Sequence, residues 1–399
     1  MTRLKSATKK LALLLASLAL GLIVAEVCLR ILGVSYPLPY APDEFCGTRL
    51  RPGFEGWWKK EGSAFVRINR YGFRHGDRPP AKAPDTLRVA VLGDSYIEAF
   101  QVSDDETFCA ALERELSGCS AVGGRPVEVL NFGVSGYGTA QELLMLKHHV
   151  RAYAPDIVVL VFFAGNDVRN NSWELEPYKV RPFFRLENES LTLDNSFHEH
   201  ADYVKARSKR TEWKVALINR VRLLQLLNET RNNWRHRAAD DPTGVRGQPG
   251  IDELAHAAPR DATWERAWEL TERLIMEVDR EARRQGAEFV LVSATNAVQV
   301  NPDRAVREAS QERLQVDDLF YAERRLQALG RTNGFPTVDL AEPMQRYADK
   351  HGAFLHGFEN TKLGEGHWNA AGHRLAAQIT AEAICASLGS EETPSDGNR

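Results

Sequence analysis

The stretch Leu87-Arg-Val-Ala-Val-Leu-Gly-Asp-Ser95 indicates the fold, because an apolar run leads directly into a turn of small residues. Similar apolar runs recur from Val127 to Asn131, Ile157 to Phe163, Phe289 to Ser293 and, more weakly, Thr337 to Leu340. Helix-like stretches separate them, from Thr107 to Leu116, Thr139 to Tyr153, Thr263 to Gln285, Asp317 to Leu329 and Ala371 to Leu388. Strands that alternate with helices pair in parallel and carry helices on both faces. The sequence therefore predicts an α/β fold, with three α/β/α layers around a mostly parallel five-stranded sheet.

The composition excludes several classes of protein. Of 399 residues, 43% are hydrophobic and 26% are charged, which is ordinary for a globular chain and unlike a disordered, collagen-like or multi-span protein. The formal charge of −3 provides no basic field, so we expect no nucleic-acid partner. The five cysteines include no C-x-x-C pair. We therefore expect no metal, no cofactor and no disulfide-built scaffold.

The N-terminus carries a candidate membrane anchor. Basic residues precede an apolar run from Leu11 to Ala25, which continues to Leu32 with Glu26 and Arg30 embedded in it. This pattern predicts an uncleaved anchor over residues 1–33, although a cleaved signal peptide remains the alternative. An anchor places the chain in the cell inner membrane as a single-pass protein, with its domain on the periplasmic or extracytoplasmic side.

The rest of the chain divides into three further parts. Residues 34–85 predict an irregular stem that packs on the domain, residues 86–389 the domain itself, and residues 390–399 a disordered tail. An insertion at about 172–262 is too long for an ordinary connection, and its residues 235–249 predict a mobile loop. Its aromatic residues are consistent either with a cap over a site or with a separate small core.

An extracytoplasmic location permits disulfides without requiring them. Cys109 and Cys119 lie too far apart along a predicted helix to pair with each other. Cys46 is the freer candidate partner.

Polar and glycine residues follow several of the predicted strands. Ser95 follows the first, Gly133 the second and Asn166 the third, and His367 comes after the fifth strand and before the last helix. Ligands bind at the carboxyl ends of parallel strands, so we expect these residues to meet at one edge of the sheet. A serine hydroxyl, an imidazole and neutral hydrogen-bond donors are the groups needed for acyl transfer through a serine ester.

In these motifs the chain resembles the SGNH, or GDSL, hydrolase superfamily, from about Asn69 to Leu388 outside the insertion. The resemblance implies a flavodoxin-like fold, with Ser95 as nucleophile, His367 as general base, and Ser95, Gly133 and Asn166 as oxyanion-hole donors. The segment Ile-Asn-Arg-Tyr-Gly-Phe-Arg, ending at Arg74, resembles one found before the nucleophile in a membrane-anchored bacterial branch.

The chain departs from the family pattern at two positions. Ala164 stands where the third block usually has glycine, and Gly364 stands where the last block has an aspartate three residues before the histidine. Glu365 is the nearest carboxylate in the sequence, and we expect it to orient His367. The alternative is a Ser–His dyad in which a backbone carbonyl orients the imidazole.

The predicted function is a serine esterase or deacylase that acts through an acyl-enzyme on an acylated carbohydrate, wall polymer or lipid outside the cytoplasm. The same residues would serve an O-acyltransferase, and the missing aspartate leaves open a non-catalytic, anchored glycan-binding or assembly module. A zinc site at His351, His356, His367 and His373 is disfavoured, because their spacing matches no common zinc motif.

Overall fold

A computed structural model describes residues 2–188, 190–237 and 253–391. Its strands are β1 (Tyr40–Asp43), β2 (Gly47–Leu50), β3 (Glu55–Trp58), β4 (Ala64–Arg67), β5 (Leu87–Gly93), β6 (Val127–Asn131), β7 (Ile157–Phe162), β8 (Phe183–Glu187), β9 (Ser190–Asp194), β10 (Glu288–Ser293) and β11 (Thr337–Asp339). Most of the predicted loop at 235–249, and residues 392–399 of the predicted tail, lie outside the described residues.

Thirteen α-helices are present in the described residues. They are α1 (Thr2–Ile31), α2 (Ser95–Glu98), α3 (Phe108–Ser117), α4 (Thr139–His148), α5 (Asp167–Asn171), α6 (Ala201–Ala206), α7 (Lys209–Arg220), α8 (Arg222–Arg237), α9 (Ala262–Arg284), α10 (Arg304–Leu314), α11 (Tyr321–Asn333), α12 (Ala341–His351) and α13 (Ala370–Glu391). Neither α10 nor α12 was predicted from the sequence.

The central sheet has the strand order β11-β10-β7-β5-β6, and all its pairs are parallel. Alternate residues of these strands enter two separate apolar clusters, one beneath α4, α9 and α11 and the other beneath α3, α12 and α13. The predicted three-layer α/β/α fold with a five-stranded sheet is therefore confirmed. Within the sheet, β5 pairs with β6 along one of its edges and with β7 along the other. The strand order therefore reverses at β5. Open α/β sheets bind ligands at the carboxyl ends of strands next to such a switch point.

The stem is more regular than the sequence predicted. It contains two antiparallel hairpins, β1–β2 and β3–β4, where irregular structure was expected. The Arg74 side chain fastens the end of the stem to the domain, because its guanidinium donates hydrogen bonds to the carbonyl oxygens of Glu98, Ala99 and Val102. A buried arginine with this many acceptors holds the chain beyond α2 in place.

Cys109 and Cys119 do not pair with each other, as predicted, but the candidate partner Cys46 is not bonded either. Cys119 forms a disulfide with Cys385 of α13, and Cys46 and Cys109 are buried free thiols. The sequence signal was absent because 266 positions separate the two bonded residues. Only the packing of α13 against α3 brings them together.

The N-terminal helix α1 contains an apolar segment, Thr8–Ile31, that is long enough to cross a membrane, and none of it is buried in the protein. By length and composition alone it fits either a membrane span or a signal sequence.

Candidate active site

Ser95 lies at the first position of α2, immediately after the central strand β5. Asp94 caps this short helix, since its Oδ1 accepts a hydrogen bond from the Tyr96 N–H at 2.9 Å. Gly93 is needed for the turn, because a Cβ there would lie 2.6 Å from Ile97 Cγ1. The turn leaves the Ser95 N–H at the open end of the helix, without an intrahelical acceptor.

Ser95, His367 and Glu61 form a continuous hydrogen-bonded chain. Nε2 of His367 lies 2.8 Å from Ser95 Oγ, and Nδ1 lies 2.5 Å from Glu61 Oε2. The second carboxylate oxygen, Oε1, accepts the backbone N–H of His367 at 2.8 Å. Two hydrogen bonds that His367 donates to one carboxylate fix both the position and the tautomer of the ring, so Nε2 faces the serine as an acceptor.

The carboxylate at the imidazole is therefore not the one that the sequence predicted. The side chain of Glu365 pairs with Lys362 at the surface, and Glu61 comes from the turn between β3 and β4, 306 positions before His367 in the sequence. Position 364 also offers no place for the missing aspartate. Gly364 has φ +78°, and a Cβ there would lie 2.6 Å from Asn301 Nδ2.

The loop before His367 is built to admit Glu61. Gly366 has φ +76°, and a Cβ at this position would overlap Glu61 Oε1. From the other side, Asn360 binds the turn that carries Glu61. It accepts the N–H of Gly62 at 2.9 Å and donates to the carbonyl oxygens of Gly62 and Lys59 at 2.8 and 3.2 Å. Gly366 thus leaves room for the Glu61 carboxylate on one side, and Asn360 holds the turn that carries Glu61 on the other.

A buried histidine supports the same loop. Nδ1 of His356 lies 2.8 Å from the Gly366 carbonyl oxygen, and its Nε2 lies 2.9 Å from Thr295 Oγ1. Burial lowers the pKa of His356 to about 4, so this ring is neutral and donates from Nδ1. Its two ring nitrogens are thus occupied by hydrogen bonds, and it serves to support the loop of His367.

The charges of the pair favour proton transfer. Burial alone would lower the pKa of His367, but the hydrogen bond and negative charge of Glu61 outweigh it and hold that pKa above its usual value. Burial would likewise raise the pKa of Glu61, yet its hydrogen bonds to His367 and the charge of that ring hold it below its usual value. Glu61 is therefore an anion that stabilises an imidazolium when His367 receives a proton.

Three donors face the cavity beside Ser95, and one of them differs from the sequence prediction. The N–H of Gly133 is already bonded to Asn131 Oδ1 at 2.9 Å, and a Cβ at Gly133 would lie 2.5 Å from the backbone N of Glu98. Gly133 is thus a close-packing residue, and its predicted role as an oxyanion donor is corrected. Gly136, with φ +75°, lines the cavity instead, and its N–H has no acceptor among the described residues.

The other two predicted donors are well placed. The Ser95 N–H also has no acceptor in the described part of the chain. Asn166 lines the cavity and donates one amide hydrogen from Nδ2 to Asp94 Oδ2 at 2.9 Å, which leaves the second hydrogen for a ligand. Glu98 positions the loop of Gly136 by accepting the Ser135 N–H at 3.0 Å, and burial raises the pKa of Glu98 to about 7.

The cavity at this edge has a volume of about 700 Å³. Its floor holds Ser95, His367 and Asn166, and its walls carry aromatic and cationic side chains, namely Tyr137, Tyr178, Phe163, Arg169 and Arg181. Tyr178 and Arg181, together with Glu176 and Val180, show that the start of the insertion lines the site on one side, whereas no residue of α6, α7 or α8 is among the lining residues. A cavity of this volume accommodates a ligand larger than a simple ester.

The profile of the GDSL-like lipase/acylhydrolase family matches residues 91–375, which is well over half of the chain. The chain belongs to the GDSL-like lipase/acylhydrolase family. As a member of this family it is a hydrolase that acts on ester bonds. No curated protein matches the sequence.

Several solved structures are similar to this acylhydrolase. They include a putative acylhydrolase from Bacteroides fragilis (13% identity, 78% of this chain, 92% of that one, TM-score 0.36). A GDSL-like lipase from Bacteroides thetaiotaomicron has 13% identity over 79% of this chain and 93% of its own, with a TM-score of 0.34. A variant acetylxylan esterase from Geobacillus stearothermophilus has 12% identity over 78% and 97%, with a TM-score of 0.38.

Sequence reasoning missed Glu61 and Gly136 in this GDSL-like acylhydrolase. Glu61 lies in Lys-Lys-Glu-Gly-Ser, a polar turn in the predicted stem without any motif, and no local signal connects it to His367. Gly136 did carry a signal, since Ser135-Gly136-Tyr137-Gly138 is glycine-rich, but two glycines of one turn were equally eligible.

Proposed function

We propose that the chain is a membrane-anchored serine esterase in which Ser95 is the nucleophile, His367 the general base and Glu61 the residue that orients it. The observation that carries this proposal is the unbroken series of contacts from Ser95 Oγ through the imidazole to Glu61, with Oγ–Nε2 and Nδ1–Oε2 distances of 2.8 and 2.5 Å. A nucleophile, a base and an orienting acid within hydrogen-bond reach are the elements of nucleophilic acyl transfer.

The reaction proceeds in two halves. His367 Nε2 takes the proton of Ser95 Oγ as this oxygen attacks the ester carbonyl, and the same proton then passes to the departing alkoxide, which leaves as an alcohol. The acyl group stays on Ser95 as an ester. Water, deprotonated by His367, attacks this second ester, and the imidazolium returns the proton to Ser95 Oγ as the carboxylic acid is released and the serine is regenerated.

The developing oxyanion is stabilised by the N–H groups of Ser95 and Gly136 and by the free hydrogen of Asn166 Nδ2. Losing one such donor typically lowers kcat by about 10²–10³-fold. Glu61 stays ionised throughout and stabilises the imidazolium.

Two observations support a location outside the cytoplasm. The apolar segment Thr8–Ile31 of α1 fits a membrane span, and the Cys119–Cys385 disulfide fits an oxidising compartment. In this location, with a wide cavity bordered by Arg169 and Arg181, the substrate is an acylated polar compound such as a carbohydrate, wall polymer or lipid headgroup.

The test is covalent labelling of the purified full-length chain by a fluorophosphonate, together with hydrolysis of p-nitrophenyl acetate. We expect wild type to react and Ser95→Ala to lose both signals, whereas Ser135→Ala, a second serine of the same cavity, keeps them. No labelling of any of the three proteins would contradict the proposal and favour a binding module. If added sugar acceptors become acylated while release of free acid falls, the chain is an acyltransferase that uses the same residues.

A further inference from the structure

The helices α7 and α8 form a hairpin that is fastened to the end of the proposed membrane anchor. Glu26 of α1 accepts the backbone N–H groups of Arg222 and Leu223 through its two carboxylate oxygens, each at 3.0 Å. Arg30 of α1 donates to the Arg220 carbonyl oxygen at 2.7 Å. The junction of the two helices therefore lies where α1 ends, which is also where α1 would leave a bilayer.

The inner side of the hairpin packs on the segment that follows α1. Asn219 Oδ1 accepts the Leu38 N–H at 2.8 Å, and Gln225 Oε1 accepts the Tyr36 N–H at 2.9 Å. Ile218 is also buried. These contacts fix which side of each helix faces the protein, and they leave the opposite sides uncovered.

The outer sides of both helices expose large apolar residues. Trp213 and Leu217 are one turn apart on α7, with 75% and 55% of their surfaces exposed. Leu227 and Trp234 are two turns apart on α8, with 58% and 77% exposed. Soluble proteins rarely expose tryptophan to this extent, and tryptophan favours the membrane–water interface.

The charged residues of the hairpin are also distributed unequally between its inner and outer sides. The two helices hold eight lysines and arginines but only two acidic residues, Glu212 and Glu229. Both acids are directed at the stem: Glu229 pairs with Lys60 at 2.9 Å, and Glu212 lines a cleft with Arg51. Arg222 also binds inward, to Ser35 and Gln225. Lys214, next to Trp213, and Arg231, one turn before Trp234, are exposed. These cations lie near the two tryptophans although the chain as a whole has a net charge of −3.

We propose that the outer sides of α7 and α8 lie on the surface of the bilayer that holds α1, with Trp213 and Trp234 at headgroup level and the basic residues on anionic phosphates. An interfacial helix has this combination of aromatic and aliphatic residues with lysine and arginine. Basic residues near an anionic bilayer are attracted to its surface. The inference rests on the proposed anchor role of α1 and is independent of the esterase chemistry.

The experiment measures the depth of spin labels in the full-length chain, reconstituted in protein-free vesicles of phosphatidylcholine with or without phosphatidylglycerol. In a Cys28→Ser background, single cysteines replace Leu217 or Leu227, so both tryptophans are kept. Val306→Cys on α10, 41% exposed, is the control for an exposed apolar site elsewhere. Leu15→Cys reports whether α1 is in the bilayer. Collision with oxygen is compared with collision with a water-soluble nickel complex.

We expect the oxygen-to-nickel ratio at 217 and 227 to exceed that at 306 several-fold, and to fall when Lys214→Glu and Arg231→Glu are combined in anionic vesicles. Ratios at 217 and 227 equal to that at 306 would overturn the proposal. So would an aqueous label at position 15, or spin–spin broadening at 217 that disappears on dilution with unlabelled chain, which would indicate a second copy on this surface. Hydrolysis of a soluble ester by the same samples tests the proposed activity separately.

Discussion

At the scale of single residues, the arrangement around His367 depends on one carboxylate from a distant part of the chain. Glu61 contacts both the imidazole and the backbone of His367, whereas Glu365, its close neighbour in sequence, pairs with Lys362. A glutamate is long enough to reach the ring from another element. The role usually filled from the histidine's own loop is thus filled from the stem.

Replacing Glu61 tests this assignment. We expect Glu61→Gln to lower kcat/KM by about 10²–10⁴-fold, because the imidazolium loses its counter-charge and the tautomer is no longer fixed. His367 must be neutral to accept a proton, so activity falls as the pH drops through its pKa. Since Glu61 raises that pKa, its removal should move the acid limb of the pH–rate profile to lower pH. Steady-state kinetics across pH provide the measurement.

Glu365→Gln is the matched control for this change. It lies in the same loop as His367 but pairs with an exposed lysine, and such surface pairs contribute about 0–1 kcal/mol. We expect its kcat/KM and pH profile to match wild type. A large loss of kcat/KM in Glu365→Gln, together with wild-type activity in Glu61→Gln, would reverse the assignment.

Gly366 allows a second test at the residue scale. A methyl group at this position would overlap the Glu61 carboxylate, so we expect Gly366→Ala to lose activity nearly as much as Glu61→Gln. The left-handed backbone also adds strain of about 1 kcal/mol. Gly352→Ala is the control, because Gly352 has φ +60° but nothing within 4 Å of a Cβ. Steady-state kinetics and thermal unfolding provide the measurements. Equal losses of activity in Gly366→Ala and Gly352→Ala would contradict this explanation.

At the scale of elements, the disulfide fastens the last helix of the domain. Cys119 follows α3 and Cys385 lies in α13, and these two helices pack closely. The helix α13 in turn begins three residues after His367. A covalent link here resists separation of the two helices on that face of the sheet.

We expect the combined Cys119→Ser and Cys385→Ser variant to lose about 3–5 kcal/mol of unfolding free energy, because the crosslink restricts a long loop in the unfolded chain. Denaturant unfolding with and without dithiothreitol measures this. The reductant should destabilise wild type to the level of the double variant and leave the double variant unchanged. Equal stability of oxidised wild type and the double variant would contradict the prediction.

At the scale of the whole molecule, the stem couples the N-terminal part of the chain to the site. Its turn between β3 and β4 carries Glu61, and Asn360 clamps this turn to the domain through Lys59 and Gly62. The neighbouring Lys60 pairs with Glu229 of α8. The site is therefore complete only when the stem is docked.

Loosening the stem without touching Glu61 tests this coupling. We expect Asn360→Ala to lower kcat by about tenfold, in keeping with a small displacement of a positioning group, and to move the acid limb in the same direction as Glu61→Gln. Asn333→Ala, at the exposed end of α11, removes an amide far from the stem and should behave as wild type. Unchanged kcat and pH profile in Asn360→Ala would show that the stem holds Glu61 without this clamp.

The sequence determined the features that depend on local pattern. Each apolar run became a strand of the central sheet to within a residue at either end, because uninterrupted β-branched and aliphatic residues suit a strand that is buried on both faces. Ser95, Asn166 and His367 could be found because each follows a strand at the carboxyl edge. The family resemblance drew on the same motifs.

Only the tertiary structure decided which acid meets His367, which glycine offers its N–H, and which cysteines bond. Glu61 and His367, like Cys119 and Cys385, are separated by more than 260 positions, and their meeting depends on the docking of the stem and the packing of α13. The choice of Gly136 over Gly133 depends on which amide Asn131 already occupies. Contacts of this kind follow from how surfaces pack in three dimensions, and one sequence carries no local signal for them.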